Sequence, residues 1–209
     1  MNVTLYGGAG RIGTRILNEL LSRGHKVKAV VRDVSKVNAA PNLTIAQGDL
    51  SAASVIADAS RGSDVIISSY GPKPENPLEI VDVNKRLVEA VKQSGVPRLI
   101  TVGGAASLEV APGRQLFDEP TFPEAWKGIA GAHREALKVL KGCDINWTCL
   151  SPATMIMPGE RTGKYRTGTN NLVVQENGKS EISMEDYAIA IVDEMEKPKH
   201  ERMRFSVGY

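Results

Sequence analysis

The feature that most constrains this chain is the run Gly7-Gly8-Ala9-Gly10-Arg11-Ile12-Gly13, set between the apolar stretch Val3–Tyr6 and a segment with helical spacing. It satisfies G-x-G-x-x-G over Gly8, Gly10 and Gly13, and G-x-x-G-x-x-G over Gly7, Gly10 and Gly13. Each glycine in such a turn has a physical task. The first permits the tight bend, the middle one lets backbone N–H groups approach a pyrophosphate, and the last lets the helix pack closely on the strand. The helix N-terminus adds about half a positive charge and unpaired N–H donors. The run predicts the phosphate-binding turn of a dinucleotide site, with Gly7, Gly8, Ala9, Gly10, Arg11, Ile12 and Gly13 in it.

The chain beyond it alternates strand and helix. Ile12, Ile16 and Leu20 share one face of a helix over Arg11–Arg23, with Gly24 as its C′ residue. Strands are predicted at Lys26–Val31, Leu43–Gln47, Asp64–Ser68, Arg98–Val102, Ile145–Leu150 and Met203–Val207, and a short helix at Ser51–Ser60. Asn76 with Pro77 and Glu79 predicts a capped helix ending at Gly95, and Thr121 with Glu124 a second one through Leu140. Ser183 with Asp186 caps a last helix through Glu196. Strands separated by helices pair in parallel through right-handed crossovers. The fold class is therefore α/β: a Rossmann-type, doubly wound, mainly parallel sheet with helices on both faces, in a single domain over residues 1–209. Two long, polar, glycine-bearing segments, about 103–122 and 159–178, each follow a strand's carboxyl end, where open α/β sheets place ligands. They are expected on the substrate side.

The second strand ends Val31-Arg32-Asp33, and Asp33 lies 20 residues past Gly13, where an acidic residue takes the adenosine ribose hydroxyls of NAD. Arg32 would instead bind the 2′-phosphate of NADP, with Lys36 as a second cation. Neighbours in an extended segment point to opposite sides, so only one need face the ribose. Arg32 and NADP are the expectation, with NAD as the alternative. Asp49-Leu50 is expected to border adenine, and Ser68-Ser69-Tyr70-Gly71 to pass the nicotinamide ribose.

A formal charge of only +2 carries no footprint for a polyanionic partner, and the basic stretch Lys197–Arg204 is broken by Pro198 and Glu201. No nucleic-acid partner is expected. Cys143 and Cys149 are too few for a disulfide framework and lack metal-ligand company, so they read as reduced thiols and no metal is expected. Without a basic n-region, an apolar h-region or a membrane-length apolar stretch, the chain is expected to be cytoplasmic, off the membrane, and a monomer or homodimer.

The glycine run, together with Val31-Arg32-Asp33, Gly48-Asp49-Leu50, Val102-Gly103-Gly104-Ala105 and Leu150-Ser151-Pro152-Ala153, resembles the atypical short-chain dehydrogenase/reductases. Within these the chain is similar to the NAD(P)H-binding group related to NmrA, flavin reductase and biliverdin reductase B. Pro158–Arg166 and Ile182–Ala188 are similar to bacterial NADH-flavin reductases. The resemblance covers essentially the whole chain. It implies a nicotinamide cofactor also touching Gly103, Ser151 and Pro152, and it sets Ser107 in approximate register with the superfamily's hydroxyl.

One departure matters. Short-chain dehydrogenases transfer a proton with a Tyr-x-x-x-Lys pair, and none of the five tyrosines here has lysine four residues on. The helix that would hold the pair offers Trp126, Ala130, His133 and Leu137 on one stripe. His133 and Ser107 are the candidate catalytic groups, His133 as a proton donor suited to neutral pH, and Arg161 and Tyr165 as contacts to a flavin or acidic substrate. The expected function is NAD(P)H-dependent hydride transfer to a flavin, quinone or similar planar acceptor. The alternative is a non-catalytic NAD(P)-binding redox sensor or regulator.

Overall fold

The computed structural model describes residues 1–209. The elements run β1 (Asn2–Tyr6), α1 (Arg11–Ser22), β2 (Lys26–Val31), β3 (Leu43–Gln47), α2 (Ala53–Ser60), β4 (Val65–Ser68), α3 (Glu79–Ser94) and β5 (Leu99–Val102). There follow β6 (Glu109–Ala111), β7 (Arg114–Gln115), α4 (Lys127–Lys141), β8 (Trp147–Ser151), β9 (Met155–Met157), β10 (Arg166–Gly168), β11 (Glu181–Ser183), α5 (Met184–Glu196) and β12 (Met203–Gly208). The central sheet has eight strands in the order β10-β12-β8-β5-β4-β1-β2-β3. All its pairings are parallel except β10 with β12. The chain moves outward through β1, β2 and β3, then returns and moves the other way from β4. The reversal leaves a crevice above β1 and β4, the place where such sheets bind ligands.

Strand periodicity distributes the core between the two faces. Leu5 of β1 packs with Ile16, Leu17 and Leu20 of α1 and with Tyr187, Ala188 and Ile191 of α5. The next residue, Tyr6, faces the other way, into a second cluster that includes Ile56 of α2, Val83 and Leu87 of α3 and Leu140 of α4. Burying each such leucine or isoleucine stabilises the fold by about 1.5–3 kcal/mol before chain entropy is counted. Helices thus cover both faces of the sheet, as its apolar strands require.

Two helix starts differ from the sequence expectation. Helix α3 begins at Glu79 with no side-chain cap. The Glu79 amide reaches the Asn76 carbonyl at 3.4 Å, while the Glu79 carboxylate accepts a bond from the Tyr70 hydroxyl at 2.6 Å instead of returning to Asn76. Helix α4 begins at Lys127 after a short turn over Glu124–Trp126. Pro123 is extended (φ −62°, ψ 126°), which breaks the continuity Thr121 would need to cap it, and Glu124 pairs with Lys127 at 2.6 Å. The cap at Ser183 is formed: its Oγ accepts from the Asp186 amide at 2.9 Å.

The segment 159–178 corrects an expectation more deeply. Its first part runs along the outside of α1 and α5 rather than over the crevice. Asp186, at the start of α5, accepts from the amides of Thr162 and Gly163 at 2.8 Å each, from the Thr162 hydroxyl at 2.6 Å and from Tyr209 at 2.8 Å. Arg161 grips Glu19 of α1 through Nε at 2.8 Å and Nη2 at 2.9 Å, and Tyr165 donates to Asp193 of α5. Arg23 joins both helices, 2.8 Å from Glu19 and 2.7 Å from Asp193. Residues 166–168 then form the edge strand β10, and the Asn170 carbonyl accepts from the Glu109 amide at 2.8 Å, tying the second half of the segment to the loop 103–122.

Glu19 is the centre of this strap: it is 5% exposed and bound by two guanidinium groups. The Arg161 bond, against the cost of burial and helped by Arg23, holds its carboxyl below the ordinary 4.5. A carboxylate depressed on folding contributes stability that is present in full above its unfolded value and lost as pH falls through the folded one. We expect Glu19→Gln to lower unfolding free energy at pH 7 by about 1–2 kcal/mol, allowing for the solvent exposure of Arg161. Urea unfolding at a series of pH values should show the gap closing below about pH 4. A gap that stays constant down to pH 3 would show that the charge of Glu19 is not what the strap uses.

Candidate functional site

The site begins at the turn between β1 and α1. Gly7 has φ +79°, and a Cβ there would lie 2.7 Å from the Ser69 hydroxyl. A Cβ on Gly13 would lie 1.9 Å from the Gly7 carbonyl oxygen, so α1 reaches the strand at a separation that no side chain permits. Gly10 closes the turn by donating to the Gly7 carbonyl at 2.9 Å. A Cβ at Gly10 would meet only that carbonyl, at 3.2 Å, and otherwise enter open space. The amides of Arg11, Ile12 and Gly13 have no acceptor within the protein. Three free donors at the positive end of a helix, beside a position with no side chain, form a cradle for an anion.

That cradle opens into a cavity of about 420 Å³ along the carboxyl ends of β1, β2, β3 and β4. Gly7, Ala9 and Gly10 line one end; Arg32, Asp33, Asp49 and Leu50 line the other; Ser69, Tyr70 and Gly71 form a side. Gly8 is turned into the sheet, where a Cβ would contact Leu5 at 3.3 Å. Ile12 packs on the core and Arg11 is exposed, so these two, with Gly13, offer amides rather than cavity wall.

Arg32 and Asp33 are differently occupied. The Asp33 carboxylate accepts from the Ser35 amide at 3.1 Å and the Ser35 hydroxyl at 2.6 Å, and stands 3.9 Å from Lys36. These bonds, led by the Ser35 hydroxyl, hold its carboxyl below the usual range. No carboxylate lies within ion-pair distance of the Arg32 guanidinium. Asp49 likewise caps its own loop, accepting from the Ser51 amide at 2.9 Å.

Several expected contacts lie off this cavity. Ser68 is the last residue of β4 and 4% exposed within the sheet. Gly103 donates to the Leu150 carbonyl at 2.8 Å, and a Cβ there would strike Cys149 Sγ at 2.6 Å; its role is close packing of β5 on β8. Ser151 and Pro152 are buried beside it. Ser107 is 8% exposed, and its Oγ accepts from Nη1 of the buried Arg204 at 3.1 Å, so it serves as a structural partner. Arg161 and Tyr165 are spent on α1 and α5, as described above, and do not face the crevice.

His133 lies on α4 against Gly104, where a Cβ would come within 3.0 Å of the His133 Cβ. Burial pushes its imidazole down to about 4, so at pH 7 it is neutral, contrary to the expectation of a proton donor titrating near neutrality. Trp126 does not share its face: it stands in the turn before α4 and is 55% exposed.

The structure also brings in residues that sequence reasoning missed. Glu79, Val83 and Arg86 of α3 line the cavity. Burial first, and then Glu79, raise the Tyr70 hydroxyl to about 12. Arg86 donates through Nη1 to the Leu50 carbonyl at 2.7 Å. In sequence these are ordinary polar and apolar positions of an amphipathic helix, and nothing in their spacing marks them. No group of three or more His, Cys, Asp or Glu side chains is placed to hold a metal ion, and no helix is long and apolar enough to cross a membrane.

Comparison with known proteins agrees with this geometry. A family profile described as NAD(P)H-binding matches residues 7–198. Three solved structures align with the whole of this chain. A protein from Burkholderia pseudomallei named "putative exported protein" shares 45% identity with TM-score 0.92, and all of that chain is covered. One from Bacteroides thetaiotaomicron named "putative epimerase" shares 38% with TM-score 0.93 and 96% of that chain covered. One from Streptococcus pneumoniae named "putative NADH-flavin reductase" shares 32% with TM-score 0.91 and 99% of that chain covered. The anion cradle, the nucleotide-sized cavity at the switch in strand order and a profile match over nearly the full length lead to one conclusion: the chain belongs to the NAD(P)H-binding family of Rossmann-fold proteins.

Proposed function

We propose that this protein is an NADP(H)-dependent reductase that passes a hydride to a flavin, a quinone or a similar planar acceptor. The observation that carries the reaction class is the state of its five tyrosines. Tyr6 bonds to the Ile56 carbonyl at 3.2 Å, Tyr70 to Glu79 at 2.6 Å, Tyr187 to the Leu150 carbonyl at 2.6 Å, Tyr209 to Asp186 at 2.8 Å, and Tyr165 to Asp193. Every phenol is engaged internally, and none has the lysine that would lower its pKa. Carbonyl reduction needs a positioned acid beside the hydride donor. A flavin or quinone does not, because its proton can come from water, and the protein's task reduces to aligning two flat rings. The Streptococcus pneumoniae relative's name supports the same reading.

Within this reading the chain's residues divide the work. The free amides of Arg11, Ile12 and Gly13 hold the pyrophosphate. Arg32, with no carboxylate partner, takes the 2′-phosphate, while Asp33 holds its own turn through Ser35. The nicotinamide supplies the hydride when bound. The loop 103–122 and the second half of 159–178 border the acceptor's side, and neutral His133 lines it without donating a proton.

Gly10→Val should leave the fold intact, since the cradle side of Gly10 is open, and should abolish dinucleotide binding by filling the space the pyrophosphate needs. Unchanged affinity in a folded variant by calorimetry would refute the cradle. Arg32→Ala should weaken NADPH more than NADH, reducing the preference by about tenfold or more, the scale of a charge-assisted bond to phosphate. Equal losses for the two cofactors would return the ribose to Asp33. In turnover, NADPH absorbance should fall on addition of FMN or a quinone and not on addition of a simple ketone, and simple alcohols should not reduce NADP+. His133→Ala should cost less than about tenfold, against the 10²-fold or more expected of a general acid. Cofactor binding with no oxidation across the acceptor panel would leave the sensor reading in its place.

A further inference from the structure

Arg86 stands out among the charged groups around the cavity. It lies in the middle of α3, far in sequence from the glycine loop, yet its side chain reaches the same cavity as Arg32. One arm of its guanidinium is fixed: Nη1 donates to the Leu50 carbonyl at 2.7 Å. Its Nε and Nη2 donate to no group of the protein, and no carboxylate lies within ion-pair distance. Those nitrogens are open to the cavity rather than sealed in the core, so a ligand seated there can take them in place of water.

Its position says what that is. The glycine loop sets the pyrophosphate and the end of β2 sets the adenosine ribose, so the wall formed by Asp49 and Leu50 at the end of β3 lies at the adenine end. Arg86 holds that wall through the Leu50 carbonyl. We propose that Arg86 is a recognition residue for the adenine end of the dinucleotide. It fixes the 48–51 loop with one arm and presents the remaining N–H groups and its flat face to the base. A guanidinium suits both roles, since it donates in a planar fork and stacks on aromatic rings, which an ammonium group does not. Arg32 and Arg86 then have separate tasks, the first reading the 2′-phosphate and the second the adenosine common to both cofactors. The inference rests on the proposed placement of the dinucleotide.

The test measures dissociation constants of NADPH, NADH and ADP-ribose for the wild-type protein, Arg86→Ala and Arg86→Lys, with thermal unfolding as a check on folding. ADP-ribose carries the adenosine diphosphate but no nicotinamide. Arg86→Ala should weaken all three ligands by the same factor, about tenfold for the bonds removed, and Arg86→Lys should recover little of it. A loss confined to NADPH would make Arg86 a second phosphate reader and overturn the proposal. So would unchanged affinity for all three, or full recovery with lysine. Failure of the wild-type protein to bind ADP-ribose would instead overturn the placement of the dinucleotide on which the proposal depends.

Discussion

The closeness of α1 to β1 is the constraint on which the rest of the site depends. The Gly7 carbonyl stands where a Cβ of Gly13 would be, 1.9 Å away, so helix and strand meet backbone to backbone. That contact has two consequences. It points the first turn of α1, with its unpaired amides, into the crevice where the strand order reverses. It also presses Ile16 and Leu20 onto Leu5, so the anion cradle is held by the same packing that forms one half of the core. Binding geometry and stability are therefore not separable here: a side chain at Gly13 would disturb both.

The two faces of the sheet carry different duties. On the side of α1 and α5, the strap 159–168 and the chain end converge on Glu19, Asp186 and Asp193, and the polar network there locks two helices together. On the side of α2, α3 and α4, the same strands present Tyr6, Ile66 and Leu99 to an apolar layer whose outer ends approach the cavity through Tyr70, Glu79 and Arg86. The α3 side chains that line the cavity lie on the second side, across from the glycine turn that leads into α1. Residues that look chemically rich in sequence, such as Arg161 and Tyr165, are consumed by the first.

Burial decides what the candidate catalytic groups can do. His133 is neutral at physiological pH because α4 seats it, half-buried, against Gly104, where partial loss of solvent disfavours its charged form. Tyr70 is held protonated by burial and by the neighbouring Glu79 carboxylate. Both shifts move titration away from neutral pH, so neither group exchanges a proton readily there. Ionisable groups quieted in this way accord with the proposed transfer between flat rings, which asks mainly for alignment.

The sequence by itself determined the fold class and the glycine turn between β1 and α1, because both rest on local rules. Strand and helix periods, the glycine spacing and the Ser183 cap act between residues near in sequence, and each formed as its neighbours dictate. It also narrowed the proposed ribose reader to two adjacent residues. Asp33 is taken up locally, by Ser35 and Lys36 two and three residues on, while no carboxylate reaches the Arg32 guanidinium. Only the tertiary structure decided the contacts of Arg86, Arg161 and Ser107, whose partners lie 36, 142 and 97 residues away. The spacing of a motif fixes where a side chain starts. Which carbonyl or carboxylate it meets depends on crossovers and helix packing that bring distant segments together, and no local pattern encodes that meeting.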